Sequence, residues 1–292
     1  MNKVTQRKAK QLRKVLVDRV LSYDTDRIAV PMSSGVDSHC ALFAALEANK
    51  KPLIFSFRMD DRVSRDFRIA ENTARLFNLD FIEVLLPSDV DKLVKSTRML
   101  SDFGCKSKTD FECFWPMVYL IRSMHEHKVK VFFTGHGADS LYCMSRKAHQ
   151  HFAGRFDEFR TQAFSNKTAF QQRFIKRLAV DQLGIDYCPI FYCDEVLKIF
   201  LGATHEQMHH PIQKAISRFA FPEYFLKVKV YTHQSFQIGD SGISDHFEKL
   251  LMTSLNVRRN KSIVGVFNSL RSDYDSVKSQ SPKSLFQLRS NT

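Results

Sequence analysis

"IAVPMSSGVDSHCALFAAL" spans residues 28–46, and its reading decides the fold. An apolar run over 28–32 ends in Ser33-Ser34-Gly35-Val36-Asp37-Ser38, and a helix-patterned segment follows directly. A buried strand therefore passes into a helix through a turn of small residues. Such a turn presents backbone N–H groups and the positive end of the helix dipole, a setting suited to phosphate. The hydroxyls of Ser33, Ser34 and Ser38 can add hydrogen bonds. Asp37 alone would repel phosphate; it makes sense with Mg²⁺ between the carboxylate and the phosphates. The plain alternative is a strand-to-helix turn capped by Ser or Asp. Neither the Walker pattern GxxxxGK[ST] nor the dinucleotide pattern GxGxxG is present.

Working outward, residues 3–22 place Val4, Leu12, Val15, Leu16 and Val20 at helical spacing between basic residues. The pattern predicts strands at 27–32, 52–57, 81–86 and 129–134, and helices at 37–49, 64–79, 88–98 and 112–127. In 64–79, Phe67, Ala70, Ala74 and Phe77 share one face. This alternation predicts an α/β fold, a parallel sheet with helices on both faces. Beyond about residue 145 the strand signal fades, and "EVLKIFLG" (195–202) and "PIQKAISRFAF" (211–221) read as helices. The expected organisation is a basic helix over 1–24, a main domain over 25–250 and a basic, partly disordered tail over 251–292.

Hydrophobic residues make up 43% of the 292 residues, with 26 phenylalanines, enough for a large aromatic core. No apolar run approaches the ~20 residues of a membrane span, so no membrane association is expected. The basic start lacks a signal-peptide core, and the six cysteines are scattered with no CxxC pair. Reduced thiols in a cytoplasmic protein are expected. The net charge of +13 is concentrated in residues 1–20, 146–177 and 250–292. Such a surface attracts polyanions, nucleic acid among them; a solvated basic face without a specific partner is the alternative.

"SSGVDS" resembles the SGGxDS pyrophosphate loop of the PP-loop ATP pyrophosphatases, with Ser34 replacing the first glycine. "VFFTGHGADSLY" (131–142) resembles the SGxGxDE segment of asparagine synthetase and its relative β-lactam synthetase: Gly135, Gly137 and Asp139 match, and Ser140 stands in place of the usual acid. "SRDFRIAENTARLF" (64–77) is similar to the family's helix after the second strand. The resemblance runs over roughly residues 25–245. It implies an adenine nucleotide alpha hydrolase-like fold with a helical C-terminal region. It implies ATP and Mg²⁺ as cofactors, with the metal held by Asp37 and Asp139. It implies a nucleotide site formed by Ser33, Ser34, Gly35, Val36, Asp37, Ser38, Gly135 and Gly137, with backbone groups of Phe55, Ser56 and Phe57 beside adenine. The implied reaction adenylates a small-molecule carboxylate and forms an amide with ammonia or an amine, releasing AMP and pyrophosphate.

Two departures from the family follow. Glutamine-dependent members carry a cysteine directly after the initiator methionine, where this chain has Asn2. No glutaminase activity is expected, and nitrogen would come from ammonia, an amine or a separate amidotransferase. The family's late lysine, in a run like RxKxxFxxG, aligns with His233 in "YTHQSFQIGDSG" (231–242), with Lys227 or Lys229 as substitutes. A histidine, with a pKa near ~6.5, stabilises phosphate charge only incompletely at neutral pH; a surface role for His233 stands beside the catalytic one. Lys214 and Arg218, four apart on one helical face, read as structural, exposed or paired with acids. His136 lies inside the second loop and can serve as proton acceptor, as phosphate donor or as packing.

"HEQMH" (205–209) matches the zinc-protease pattern HExxH, which needs an uninterrupted helix. Gly202 and Pro211 mark helix boundaries on either side, so a zinc site is not expected. "GHGAD" also satisfies the GHxxD of tRNA-modifying PP-loop enzymes similar to tRNA lysidine synthetase, and the basic surface suits them. A nucleotide- or nucleic-acid-binding protein that has lost its chemistry is a third reading.

Overall fold

Five short runs become the strands of one parallel sheet, flanked by helices on both faces. A computed structural model describes residues 3–60, 62–87, 90–105, 107–165, 170–231 and 243–245. In chain order the elements are α1 (Lys3–Leu21), β1 (Ile28–Pro31), α2 (Val36–Glu47), β2 (Leu53–Met59), α3 (Arg65–Leu76), β3 (Phe81–Leu86), α4 (Val90–Asp102), α5 (Lys108–Glu126) and β4 (Val131–Thr134). There follow α6 (Ala138–Leu141), α7 (Arg146–His151), α8 (Phe156–Ser165), α9 (Phe170–Lys176), a π-helical turn (Arg177–Gln182) and β5 (Asp186–Pro189). The last described helices are α10 (Asp194–Phe200), α11 (His205–His209), α12 (Ala215–Ala220) and α13 (Pro222–Phe225).

The strand order is β3-β2-β1-β4-β5. Pro31 of β1 lies opposite Phe55, and Ile28 opposite Val131. The chain leaves β1 toward β2 and β3, then returns to β4 on the other side. The order therefore reverses between β1 and β4, and in open parallel sheets a crevice forms at that point outside the carboxyl ends of the strands. The loops that follow β1 and β4 are the two sequence motifs.

Period-two alternation divides the core. Ile28, Val30, Ile54, Val131 and Phe133 face one cluster with residues of α1, α2 and α3; Ala29, Phe55, Phe57 and Phe132 face the other with α5. α1 joins the first cluster through Ala9, Leu12, Leu16 and Val20, the i, i+3, i+4 pattern of a core-facing stripe. α3 begins at Ser64, whose hydroxyl accepts the Phe67 N–H, and it buries Phe67, Ala70 and Ala74 as the sequence predicts. α5 begins four residues before its predicted start because Ser107 and Asp110 form a reciprocal capping box.

The fifth strand is a correction to the sequence reading. "DYCP" has only four residues, bounded by Asp186 and Pro189, and no visible alternation. It is a strand because it pairs with β4, Phe132 lying opposite Tyr187. All six cysteines are free. Among the described residues no helix is long and apolar enough to cross a membrane.

The first motif is fastened to α3 by a buried histidine. His39 is fully buried; its Nδ1 lies 2.7 Å from the Gly35 carbonyl and its Nε2 3.3 Å from Thr73 Oγ1. A neutral ring satisfies both contacts, donating from Nδ1 and accepting the threonine O–H at Nε2. Burial pushes its pKa down to about 4. In the unfolded chain a histidine titrates near ~6.5, so on acidification the unfolded state takes up a proton that the folded state refuses. The contribution is complete above pH ~6.5 and shrinks by about 3 kcal/mol as pH falls toward 4. Thermal melts of wild type and His39→Gln between pH 7 and 4.5 test this. The wild type is expected to lose more stability over that interval than the variant; parallel pH profiles would refute it.

Candidate active site at the sheet's switch point

The loop after β1 is organised by its own side chains. Ser33 Oγ lies 3.1 Å from Ser38 Oγ and accepts the Gly35 N–H at 3.2 Å, while Ser38 Oγ donates to the Gly35 carbonyl at 3.1 Å. Asp66, in the first turn of α3, accepts both the Ser34 N–H at 2.8 Å and the Ser34 hydroxyl. The Ser34 amide is thus taken by a carboxylate of the chain itself. Gly35 is the N-cap of α2 and gives no side-chain cap. Among the described residues no acceptor takes the amides of Val36, Asp37 and Ser38. These orphan donors of a twelve-residue helix, at its positive dipole end, are where an anion fits. The loop is also bound to β2: the Met32 N–H donates to the Phe55 carbonyl at 2.8 Å, and the buried Ser56 hydroxyl to the Met32 carbonyl at 3.1 Å. Phe55 and Phe57 turn into the core.

The second loop touches the first. A Cβ at Gly135 would stand 2.4 Å from the Asp37 carbonyl carbon, so only glycine permits this approach. Gly137, with φ +98°, is the left-handed N-cap of α6. It turns the chain so that Asp139, in the first turn of α6, reaches the same point as Asp37.

Between them lies Lys214. Its Nζ is 2.6 Å from Asp37 Oδ2 and 2.7 Å from Asp139 Oδ1. The lysine side chain is 2% exposed, those of Asp37 and Asp139 18% and 52%. Lys214 adopts φ +58°, uncommon for a residue with a Cβ, at the N-cap of α12. Tyr142 steadies that helix: its hydroxyl accepts the Ser217 N–H at 2.7 Å and donates to Ser217 Oγ at 2.8 Å, and its ring lies 5.8 Å from the ammonium. Burial opposes the charge on Lys214, but the two carboxylates outweigh it and hold its pKa above the usual value. Burial, with the charge of Asp139 added, pushes Asp37 up to about 6 although Lys214 pulls the other way. Asp37 Oδ1 is buried and has no hydrogen-bond partner among the described residues.

The two sequence motifs thus form two loops that meet at a glycine, at the switch point of a parallel sheet. Residues 11–186, more than half of the chain, match the family model described as asparagine synthase. The chain belongs to the asparagine synthase family. Among individually curated proteins, none matches the chain. This family comprises ATP-dependent, amide-forming ligases and uses ATP.

The predicted site residues separate into groups. Ser33, Ser34, Gly35, Val36, Asp37, Ser38, Gly135, Gly137 and Asp139 lie in the two loops or the helix turns that they open. His136 lies in the second loop, but its Nδ1 is hydrogen-bonded to Tyr187 Oη of β5 at 2.8 Å. His233 lies outside the described residues. Tyr231 lies against the first loop: its N–H donates to the Ser34 carbonyl at 3.4 Å, and Arg65 stacks 3.8 Å over its ring. In "HEQMH" the helix has five residues, capped by Thr204, and His209 Nε2 is hydrogen-bonded to the Tyr142 carbonyl at 3.1 Å.

Sequence reading omitted Lys214 from the site. Its pairing with acids holds, but the acids are Asp37 and Asp139, and the lysine is buried among them. The signal was the pair of unmatched aspartates, which ask for a cation. Asp66 and Tyr142 were also passed over; Asp66 sits beside the Ser64 cap and had no chemistry of its own to mark it.

Gly135→Ala tests the contact of the loops. The added methyl must displace the Asp37 backbone, and overpacking of this kind costs about 1–3 kcal/mol. A lowered melting temperature and at least tenfold weaker ATP binding are expected. Unchanged stability and affinity would show that the loops do not depend on this approach.

Proposed function

We propose that this chain activates a small-molecule carboxylate with ATP and passes the acyl group to ammonia or an amine, releasing AMP and pyrophosphate. The observation that carries this reading is the meeting of Asp37, Asp139 and Lys214 beside the unpartnered amides of α2. A carboxylate oxygen attacks the α-phosphorus, and the bond to the oxygen bridging to the β-phosphorus breaks. Nitrogen then attacks the acyl carbon, AMP leaves, and a base accepts the surplus proton. In this scheme the amides of Val36, Asp37 and Ser38 hold pyrophosphate oxygens in the field of the α2 dipole, and the Ser33 and Ser38 hydroxyls, bonded to each other and to Gly35, hold the turn that presents those amides.

Asp37 and Asp139 offer hard oxygen donors, and the buried, unpartnered Asp37 Oδ1 suits a Mg²⁺ ligand. Mg²⁺, when bound, neutralises charge on the leaving pyrophosphate. Lys214 adds positive charge beside the same phosphates. His136, its ring oriented by Tyr187, is the proposed acceptor of the amine proton.

Incubation with ATP, Mg²⁺, ammonium and a panel of carboxylic acids, followed by analysis of the nucleotide product, tests the scheme. AMP is expected, and ADP would refute it. Asp37→Asn is expected to reduce AMP formation at least a hundredfold with the fold intact by circular dichroism; wild-type turnover would remove Asp37 from the reaction.

A further inference from the structure

Lys214 occupies the position between two carboxylates that a divalent cation would share. Its Nζ contacts both, at 2.6 Å and 2.7 Å, and it is buried. A cation entering alone has two courses. It can bind beside the ammonium, where like charges repel at close range. Or it can displace the ammonium, which leaves a buried charge without its counter-ions. The neighbouring Tyr142 ring offers only a weak cation–π contact at 5.8 Å. An incoming anion removes the obstacle by taking over the ammonium. The place for that anion is adjacent, because Asp37 carries both a carboxylate in the triad and one of the unpartnered amides of α2. Among the described residues no group of three or more acidic, histidine or cysteine side chains is arranged to hold a metal ion. Mg²⁺ fills its remaining octahedral positions with water and phosphate oxygens, so phosphate completes its site here.

We propose that Lys214 is an internal counter-ion that reserves the Asp37–Asp139 pair, so that a divalent cation enters only together with a polyphosphate whose oxygens accept the displaced ammonium. This rests on the reading of the site as a nucleotide site. It makes the order of binding a property of one side chain.

Mn²⁺, followed by electron paramagnetic resonance, is the probe for the cation, and inorganic pyrophosphate is the probe for the anion. Wild-type protein without phosphate is expected to bind Mn²⁺ no more tightly than the millimolar range, and pyrophosphate is expected to bring Mn²⁺ onto the protein. Lys214→Met, checked for folding by its melting curve, is expected to bind Mn²⁺ alone at least tenfold more tightly than wild type. Adding Asp37→Asn to Lys214→Met is expected to abolish that gain. Equal Mn²⁺ affinity of wild type and a folded Lys214→Met would overturn the proposal. If Lys214→Met does not fold, the wild type decides: submillimolar Mn²⁺ binding without phosphate, lost in Asp139→Asn, overturns it, and its absence supports it. Thermal stabilisation of wild type by Mg·ATP separates the two levels. If it is present, failure of the Mn²⁺ tests removes the counter-ion alone. If it is absent, the nucleotide reading falls, and the proposal with it.

Discussion

One buried ammonium between two carboxylates joins three parts of the chain that are far apart in sequence. Asp37 comes from the first turn of α2, Asp139 from α6, and Lys214 from the residue before α12. The Gly135 contact brings the loops so close that their aspartates would repel one another without a cation. Lys214, in turn, could not stay charged in the interior without them. The carboxylates are the condition for burying the ammonium, and the ammonium is the condition for bringing the carboxylates together. Tyr142, hydrogen-bonded to Ser217 on one side and packed near the ammonium on the other, links the triad to the helical region beyond the sheet.

The polar groups of the first loop divide into two sets. Ser33, Ser34, Ser38 and the Gly35 carbonyl hold the turn in shape through bonds to each other, to Asp66 and to His39. The first-turn amides of α2 are left for a ligand. The serine at position 34, in place of the glycine of the family's pattern, is explained by this division. Its hydroxyl and amide both serve Asp66, which fastens the loop to α3.

The parts legible in the sequence were those fixed by local pattern. Alternation and apolar runs marked four strands, because Val30, Ile54 and Phe133 are buried wherever their neighbours lie. Gly135, Gly137 and the serines of the first loop were readable because tight turns restrict residue type. β5 was not readable: "DYCP" is a strand only through its pairing with β4. Lys214 was hidden for a different reason. Its helical spacing with Arg218 described the helix, whereas its role comes from a left-handed backbone at one residue and from partners 177 and 75 positions away. No local window contains that information.

In the proposed reaction the two loops form one site that cleaves ATP between the α and β phosphates. Exchange of radiolabelled pyrophosphate into ATP measures the reverse of that step directly, without the nitrogen donor. Exchange that requires Mg²⁺ and a carboxylic acid and disappears in Asp139→Asn is expected. Incorporation of labelled inorganic phosphate, or pyrophosphate exchange that Asp139→Asn leaves untouched, would contradict it.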